Sequence, residues 1–396
     1  YAVIIAILIY FMVVLIIGFS YARRANKSSS EYFLGGRKVG PWFTALSAEA
    51  SDMSGYLLMG LPGLAYFTAA DAGWTCIGLA LGTYFNWLLV AKRLRRYSEK
   101  ANDSITLPGF YSNRFHDTKN VVSTVAAVII LIFFCVYTGS CFVTCGKLFN
   151  TLFGMDYTVM MIFGAIIVFL YTMVGGYLSV VATDFVQGCL MFFALAVVVI
   201  GSIAMAGGVE NTAAFLSDIP GYLSMVQTAT PEVDADGVQY MIGGAPIFGI
   251  PAEYGLLTII STLSWGLGYF GMPQVLLRFM GIRSEHELGR SRRVAIIWVV
   301  ISMAAAVFIG VVGRSVAGLD YLSNNDAENI FIDAATSYLP PILAGFACAG
   351  VLAAAISSSD SYLLISASAV SQNLYRGVFK KDATEKQVMW CSRITL

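Results

Sequence analysis

T-A-L-S-A-E-A-S-D-M-S-G-Y-L-L-M-G-L-P-G, residues 44–63, is the stretch on which the fold turns. It lies in an otherwise apolar span, 42–64, yet its middle is small and polar from Ser47 to Gly55. Glu49 and Asp52 are expensive in lipid, so they are expected to face protein or a water-filled cavity. Backbone at that depth leaves the helix only where it lines such a cavity. Ser, Asp and Gly bond backbone locally and tolerate non-helical angles. The stretch therefore predicts a broken helix, unwound near Asp52–Gly55. A continuous helix with a polar packing face is the alternative.

A second stretch of this kind is S-T-L-S-W-G-L-G-Y-F-G-M-P, residues 261–273. Pro273 lacks a backbone donor and clashes with the preceding turn. The glycines let backbone approach a ligand, and Trp265, Tyr269 and Phe270 supply walls; a Gly-rich packing kink is the plainer alternative. Interrupted helices in corresponding positions of two halves point to a binding site at the repeat interface. With five helices per unit, 42–64 opens the first and 252–280 opens the second, inverted because the number is odd.

A third is A-G-V-L-A-A-A-I-S-S-S-D-S-Y, residues 349–362. Ala354, Ser357, Ser358 and Ser361 fall at i, i+3, i+4 and i+7 and share one helix face. Such a hydroxyl stripe suits a hard monovalent cation, though serines in membrane helices also serve as interhelical glue. Asp360 beside them strengthens the cation reading.

Around these segments the 396 residues are 58% hydrophobic and 12% charged, against about 25% charged in soluble domains. That apolar excess calls for a lipid bilayer as solvent. Apolar runs long enough to span lie near 2–20, 42–64, 72–91, 121–152, 157–175, 182–206, 252–280, 294–316 and 339–365, with another opening near 387. The chain starts at Tyr1 rather than Met and stops inside an apolar run, so both ends are expected to continue. The first run is too long for a signal peptide and no cleavage-like site follows it.

Of 24 Lys and Arg, only Lys147 and Arg314 lie outside the segments 23–38, 92–119, 278–293 and 376–393. By the positive-inside rule these segments are cytoplasmic and the N-terminus is outside. The loop 207–250 has no Lys or Arg but carries Glu210, Asp218, Glu232, Asp234 and Asp236. It is expected outside, with room for short surface helices, and a short inner turn is expected at 176–181. The net charge of zero gives no field for nucleic acid. The seven cysteines mostly sit in apolar runs without metal-ligand spacing and read as small core residues. His116 and His286 lie in charged loops, which excludes a mid-membrane histidine relay. The sequence holds no nucleophile–base pair or phosphate loop, so an enzyme is not expected.

The segments E-Y-F-L-G-G-R-K-V-G-P (31–41), A-S-D-M-S-G-Y-L-L-M-G-L-P-G (50–63), L-P-G-F-Y-S-N-R-F (107–115), W-G-L-G-Y-F-G-M-P-Q-V-L-L-R-F-M (265–280) and L-A-A-A-I-S-S-S (352–359) together resemble the solute:sodium symporter family, most of all its proline-carrying bacterial members. The likeness runs over essentially the whole chain. It implies an all-α polytopic protein of the LeuT type. The core would be a five-plus-five inverted repeat, 42–206 and 252–396, preceded by an extra helix at 2–20 and lacking its last helices. It implies uptake of a small solute, L-proline first, driven by sodium ions across the bacterial cytoplasmic membrane, by a monomer. The implied substrate site is Ser54, Gly55, Tyr56, Tyr137, Trp265, Tyr269 and Pro273. The implied sodium site is the backbone oxygens of Ala50, Met53 and Ala354 with the hydroxyls of Ser357 and Ser358. Asp52 and Arg37 match positions important to the family, with a structural or a coupling role.

The chain departs from the proline-carrying pattern in having Tyr56 for Trp, Glu49 for Gly, Ser358 for Thr, and Asp360 where a small polar residue is usual. Some family members place a second cation site at the positions of Asp184, Asp360 and Ser361. Two carboxylates sharing one buried place call for a cation or a retained proton between them; acids that reach water or cap helix ends are the alternative. Competing functions are symport of a sugar, sialic acid, vitamin or carboxylate, and a transporter-like sensor domain.

Overall fold

The computed structural model describes residues 1–235, 239–242, 245–317 and 326–396; Asp236 lies outside them. The chain is a helical bundle. Among the described residues, six helices are long and apolar enough to cross a membrane. The bundle is built from α1 (Ala2–Ser20), α2 (Pro41–Met53), α3 (Leu61–Phe67), α4 (Ala69–Phe85), α5 (Val121–Phe153), α6 (Tyr157–Met205), α7 (Leu256–Ser264), α8 (Pro273–Gly281), α9 (Leu288–Ala317), α10 (Pro341–Ser368) and α11 (Glu385–Thr395).

The two polar stretches divide their spans as expected. α2 ends at Ser54, whose φ of 48° and ψ of −167° leave the helix. The chain resumes through a wide turn, Tyr56–Gly60, into α3. α7 passes into a tight turn at Trp265–Phe270, and α8 starts at Pro273 after an extended Met272.

α6 contains the two spans expected at 157–175 and 182–206. A straight helix of its 49 residues would be about 74 Å long, far more than a bilayer core of about 30 Å. The expected turn at 176–181 contracts to a single break at Gly176, with φ 58° and ψ −158°. A Cβ there would stand 2.9 Å from the Tyr32 ring and backbone oxygen, so only glycine fits. The Tyr32 hydroxyl donates to the Met173 carbonyl at 3.0 Å, which satisfies an oxygen freed by the break.

The core forms two stacked layers. One holds Ile7 to Val14 of α1, Cys145 to Phe149 of α5 and Ala347 to Ile356 of α10. The other holds Tyr32 to Leu34, Trp87, Ala127 to Cys141 of α5 and Tyr362 to Ala369. Between them, at Ser47 to Ser54 and Ser357 to Ser361, lie the polar groups. The second layer sits at the end that carries Arg24, Arg37, Arg95, Arg96 and Arg283.

The segment 207–250 contains a surface helix, Val209–Ser217, and takes part in two short strand pairs beyond the expected helices. The first of them is with residues at the start of the expected span 252–280, whose helix begins only at Leu256. Gln227–Thr228 pairs antiparallel with Ala252–Glu253, and Met241–Ile242 with Ala245–Pro246. The cysteines are not uniformly core: Cys141, Cys145 and Cys348 are buried, while Cys135 and Cys189 are exposed on the apolar flank of the bundle.

Candidate functional site

The first break opens onto a cavity of about 210 Å³ lined by Asp52, Met53, Ser54, Tyr56, Leu79, Tyr137, Trp265, Gly268, Tyr269, Met272 and Tyr362. Five of the seven expected substrate residues meet here. Gly55 and Pro273 do not line this cavity. Gly55 packs its Cα face on Thr144 of α5, where a Cβ would stand 2.7 Å from the hydroxyl. Pro273 starts α8 beside Leu107, Ile130 and Leu277. Pro273 shapes its break from behind, whereas Gly55 lines a neighbouring cavity that adjoins the first at Ser54 and Tyr56.

Aromatic rings supply five of the eleven wall residues. Tyr56 meets Trp265 edge-on with centroids 5.2 Å apart, and Tyr137 meets Tyr362 at 5.3 Å. Asp52 supplies the one carboxylate among the lining residues. It is half-buried and accepts from Gln274 Nε2 at 2.9 Å. Glu49, one turn earlier and buried, is held instead by Trp87 Nε1 at 3.0 Å, away from the cavity.

The hydroxyl stripe of α10 packs against the last turns of α2. Ser357 Oγ lies 2.8 Å from the Ala50 carbonyl oxygen and 3.2 Å from that of Ala354. One hydroxyl proton cannot serve both carbonyls at once, so oxygen lone pairs are in excess there. Ser358 Oγ, on the same face, is fully buried without a hydrogen-bond partner. Met53, the last residue of α2, closes the gap between this cluster and the cavity. Converging carbonyls and an orphaned hydroxyl are the donor set that a desolvated hard cation takes.

One turn further along α10 lies a dry ionic network. Asp184 Oδ2 accepts from Ser47 Oγ at 2.6 Å and from Arg278 Nη2 at 3.0 Å. Arg278 also donates to Ser361 Oγ at 2.6 Å, to Ser47 Oγ at 2.9 Å and to the Gln274 carbonyl at 3.3 Å. Asp360 accepts from the Tyr171 hydroxyl at 2.5 Å and from Ser361 at 3.2 Å. Each serine thus gives its proton to a carboxylate and takes one from the guanidinium. Asp184, Asp360 and Ser361 are completely buried, so neither acid reaches water.

The segment 278–293 was expected whole in the cytoplasm; this is corrected at its first residue. Arg278 is 1% exposed, because its position on α8 faces Asp184 rather than the bundle end. Charge inventory was the available signal: Asp184 and Asp360 are acids in spans that carry no Lys or Arg of their own, and Arg278 is the basic residue nearest a break. Arg37 belongs to neither cluster. It sits in a left-handed turn (φ 54°) and donates to Asp103 at 2.9 Å, the Met280 carbonyl at 2.7 Å and the Ser104 carbonyl at 3.0 Å. It fastens the basic end of α8 to the segment that follows residues 92–100.

Comparison with known proteins agrees with this geometry. The sodium:solute symporter family model matches residues 32–396. The osmoregulated proline transporter OpuE of Bacillus subtilis is 39% identical over 394 residues, covering 100% of this chain and 75% of that protein. A sodium/proline symporter of Staphylococcus aureus is 39% identical over 395 residues, covering 99% and 72%. Among solved structures, a Na+-coupled sialic acid symporter in a substrate-bound outward-open state superposes with a TM-score of 0.77 at 18% identity, covering 100% of this chain and 79% of that one. MHP1, a nucleobase-cation-symport-1 family transporter, gives 0.52 at 13% identity, covering 93% and 73%. The polytopic helical fold of the LeuT type is therefore the one this chain adopts.

Proposed function

Because this chain belongs to the sodium:solute symporter family, we propose that it carries a small zwitterionic solute, L-proline first, into bacteria by alternating access driven by sodium. The observation that carries this reading is shared construction. α2 supplies Asp52 and Ser54 to the cavity and the Ala50 carbonyl to the hydroxyl cluster; α10 supplies Tyr362 to the cavity and Ser357 to the cluster. A ligand that orders either side orders the same two helices. Coupling between the sites is then reciprocal.

Proline fits the walls. Its ammonium has the Asp52 carboxylate and the faces of Trp265 and Tyr269 to meet. Its apolar ring has Tyr56, Tyr137 and Leu79, and its carboxylate has the freed N–H groups after Ser54. Gly55 and Pro273 hold the two breaks in shape. Sodium takes the oxygens of Ala50, Met53 and Ala354 with Ser357 and Ser358. Around Asp184, Asp360 and Ser361 a second cation competes with the guanidinium of Arg278, which already pairs with Asp184 and reaches Asp360 through Ser361. The names of the proline-carrying relatives support the choice of solute. The basic end faces the cytoplasm, the N-terminus is outside, and the monomer is the working unit.

The test is uptake by protein reconstituted in liposomes. L-Proline should accumulate under an inward sodium gradient and not under a potassium gradient. Uptake of a sugar, sialic acid or a simple carboxylate instead would replace the solute, and accumulation without sodium would end the coupling claim. The sodium Hill coefficient should stay near unity in the parent and in Asp360→Ser; a value above unity that drops in the variant would restore the second sodium.

A further inference from the structure

The basic end of the bundle holds a cavity of about 450 Å³. Its walls come from helix Lys92–Lys100, which continues α4, and from the turn that leads from α8 into α9. Four basic side chains, Arg95, Arg96, Lys100 and Arg283, line it against two acidic ones, Glu99 and Glu285. Positive charge is thus in excess here, in a chain whose net charge is zero.

The acids orient the guanidinium groups without using them up. Arg96 gives Nε and Nη2 to Glu285 at 3.0 and 2.8 Å. Arg283 gives Nε and Nη2 to Glu287 at 2.8 and 2.6 Å. Arg95, only 7% exposed, gives Nη1 to Glu99 at 2.7 Å and Nε to the Ile282 carbonyl at 2.8 Å. Among the described residues, Arg95 Nη2, Arg96 Nη1, Arg283 Nη1 and Lys100 Nζ take no acceptor. Guanidinium planes that are already fixed, with donors left over, match the paired oxygens of a phosphate group. The volume falls in the range of about 300–1,000 Å³ usual for small-molecule sites, so there is room for more than inorganic phosphate.

We propose that this cavity binds a phosphate-bearing anion, soluble or the headgroup of an anionic lipid, and that the occupant clamps helix Lys92–Lys100 to the turn after α8. In the topology proposed above, the cavity opens to the cytoplasm, where both sources are at hand: the anionic leaflet attracts basic segments there.

The experiment is equilibrium binding of radiolabelled pyrophosphate to the full chain in phosphatidylcholine nanodiscs. Salt is held at about 0.15 M, which screens loosely attracted counter-ions. The parent should bind one pyrophosphate per chain, and its unfolding midpoint should rise with ligand concentration, as binding to the native state requires. Arg283→Lys keeps the charge and loses the fork; without one charge-assisted hydrogen bond it should bind about tenfold more weakly. Lys100→Met combined with Arg283→Met should abolish binding and the midpoint shift. Unfolding midpoints equal to the parent's without ligand show that these surface variants are folded. Adding phosphatidylglycerol to the nanodiscs separates the sources: displacement of pyrophosphate makes the lipid headgroup the occupant, and unchanged binding makes it a soluble anion. No saturable binding by the parent, binding without a midpoint shift, or parental affinity in either variant overturns the site. The proposed function stands or falls separately, since no solute enters this test.

Discussion

The solute cavity and the network around Arg278 both place carboxylates deep in an apolar bundle, and they treat them differently. Asp52 faces open space, is half-buried, and is met by two neutral side chains, Gln274 and Tyr269. Asp184 and Asp360 face no space at all. They are met by a guanidinium, a phenol and two serines. The difference follows from solvation. A charge beside a cavity keeps water, or a ligand, as a partner and can stay available. A charge in a dry place must be matched within the protein, since an unmatched one costs several kcal/mol. Availability marks a recognition site; dense pairing, with Asp184 Oδ1 the one oxygen of these two acids left without a partner, marks a joint. Arg278 joins α2, α6, α8 and α10 at the layer boundary.

The largest expected effect tests that joint. Arg278→Met leaves two acids in a dry place, and breaking a buried pair from one side costs about 3–5 kcal/mol. Thermal unfolding in detergent should show a large loss. Adding Asp184→Asn should recover part of it, because the stranded charge goes with it. A single variant as stable as the parent would mean that the network is not dry.

Next in size is the cavity. Trp265→Ala removes a ring that is 51% exposed and so carries little of the fold. A desolvated cation–π contact is worth about 2 kcal/mol. Proline affinity should therefore fall by about 30-fold with thermal stability unchanged. A loss of stability instead would make Trp265 a packing residue and blur the contrast between the two regions.

The hydroxyl cluster lies between them. Ser357→Ala and Ser358→Ala each remove one oxygen worth about 1 kcal/mol, so apparent sodium affinity should drop about fivefold. Saturating sodium should restore proline binding, as linkage requires. Binding that high sodium fails to rescue would class the serines as interhelical glue.

The smallest effect is at the basic end, in water. Arg96 holds the half-buried Glu285 carboxyl below the usual glutamate range through a two-pronged hydrogen bond. A depressed carboxylate contributes above its unfolded pKa, and the contribution fades as pH falls through the folded value. Glu285→Gln should remove a slight acid-side loss of stability that salt also removes. A large loss would mean that exposed pairs here behave like the buried one.

Much of this contrast was legible before any coordinates. Ser47–Gly55 and Gly266–Pro273 announced both breaks, because local backbone preference decides where a helix stops. The spacing of Ala354, Ser357, Ser358 and Ser361 announced the stripe, because helix period is local too. The direction in which Arg278 points was not legible. It stands at the edge of a basic segment, and sequence alone reads it with its neighbours.

What the sequence by itself determined is therefore the set of interruptions, the spans between them, and the polar residues that lipid would not tolerate. Only the tertiary structure decided which of those residues share a space. Packing α8 against α6 turned Arg278 inward to Asp184. The meeting of α4, α5 and α10 put Leu79, Tyr137 and Tyr362 around Asp52, left Pro273 behind the wall and turned Gly55 to the adjoining cavity. The reason is range: a break is set by residues within a turn or two of each other, whereas a cavity is the volume left between helices that contact across more than a hundred residues of chain.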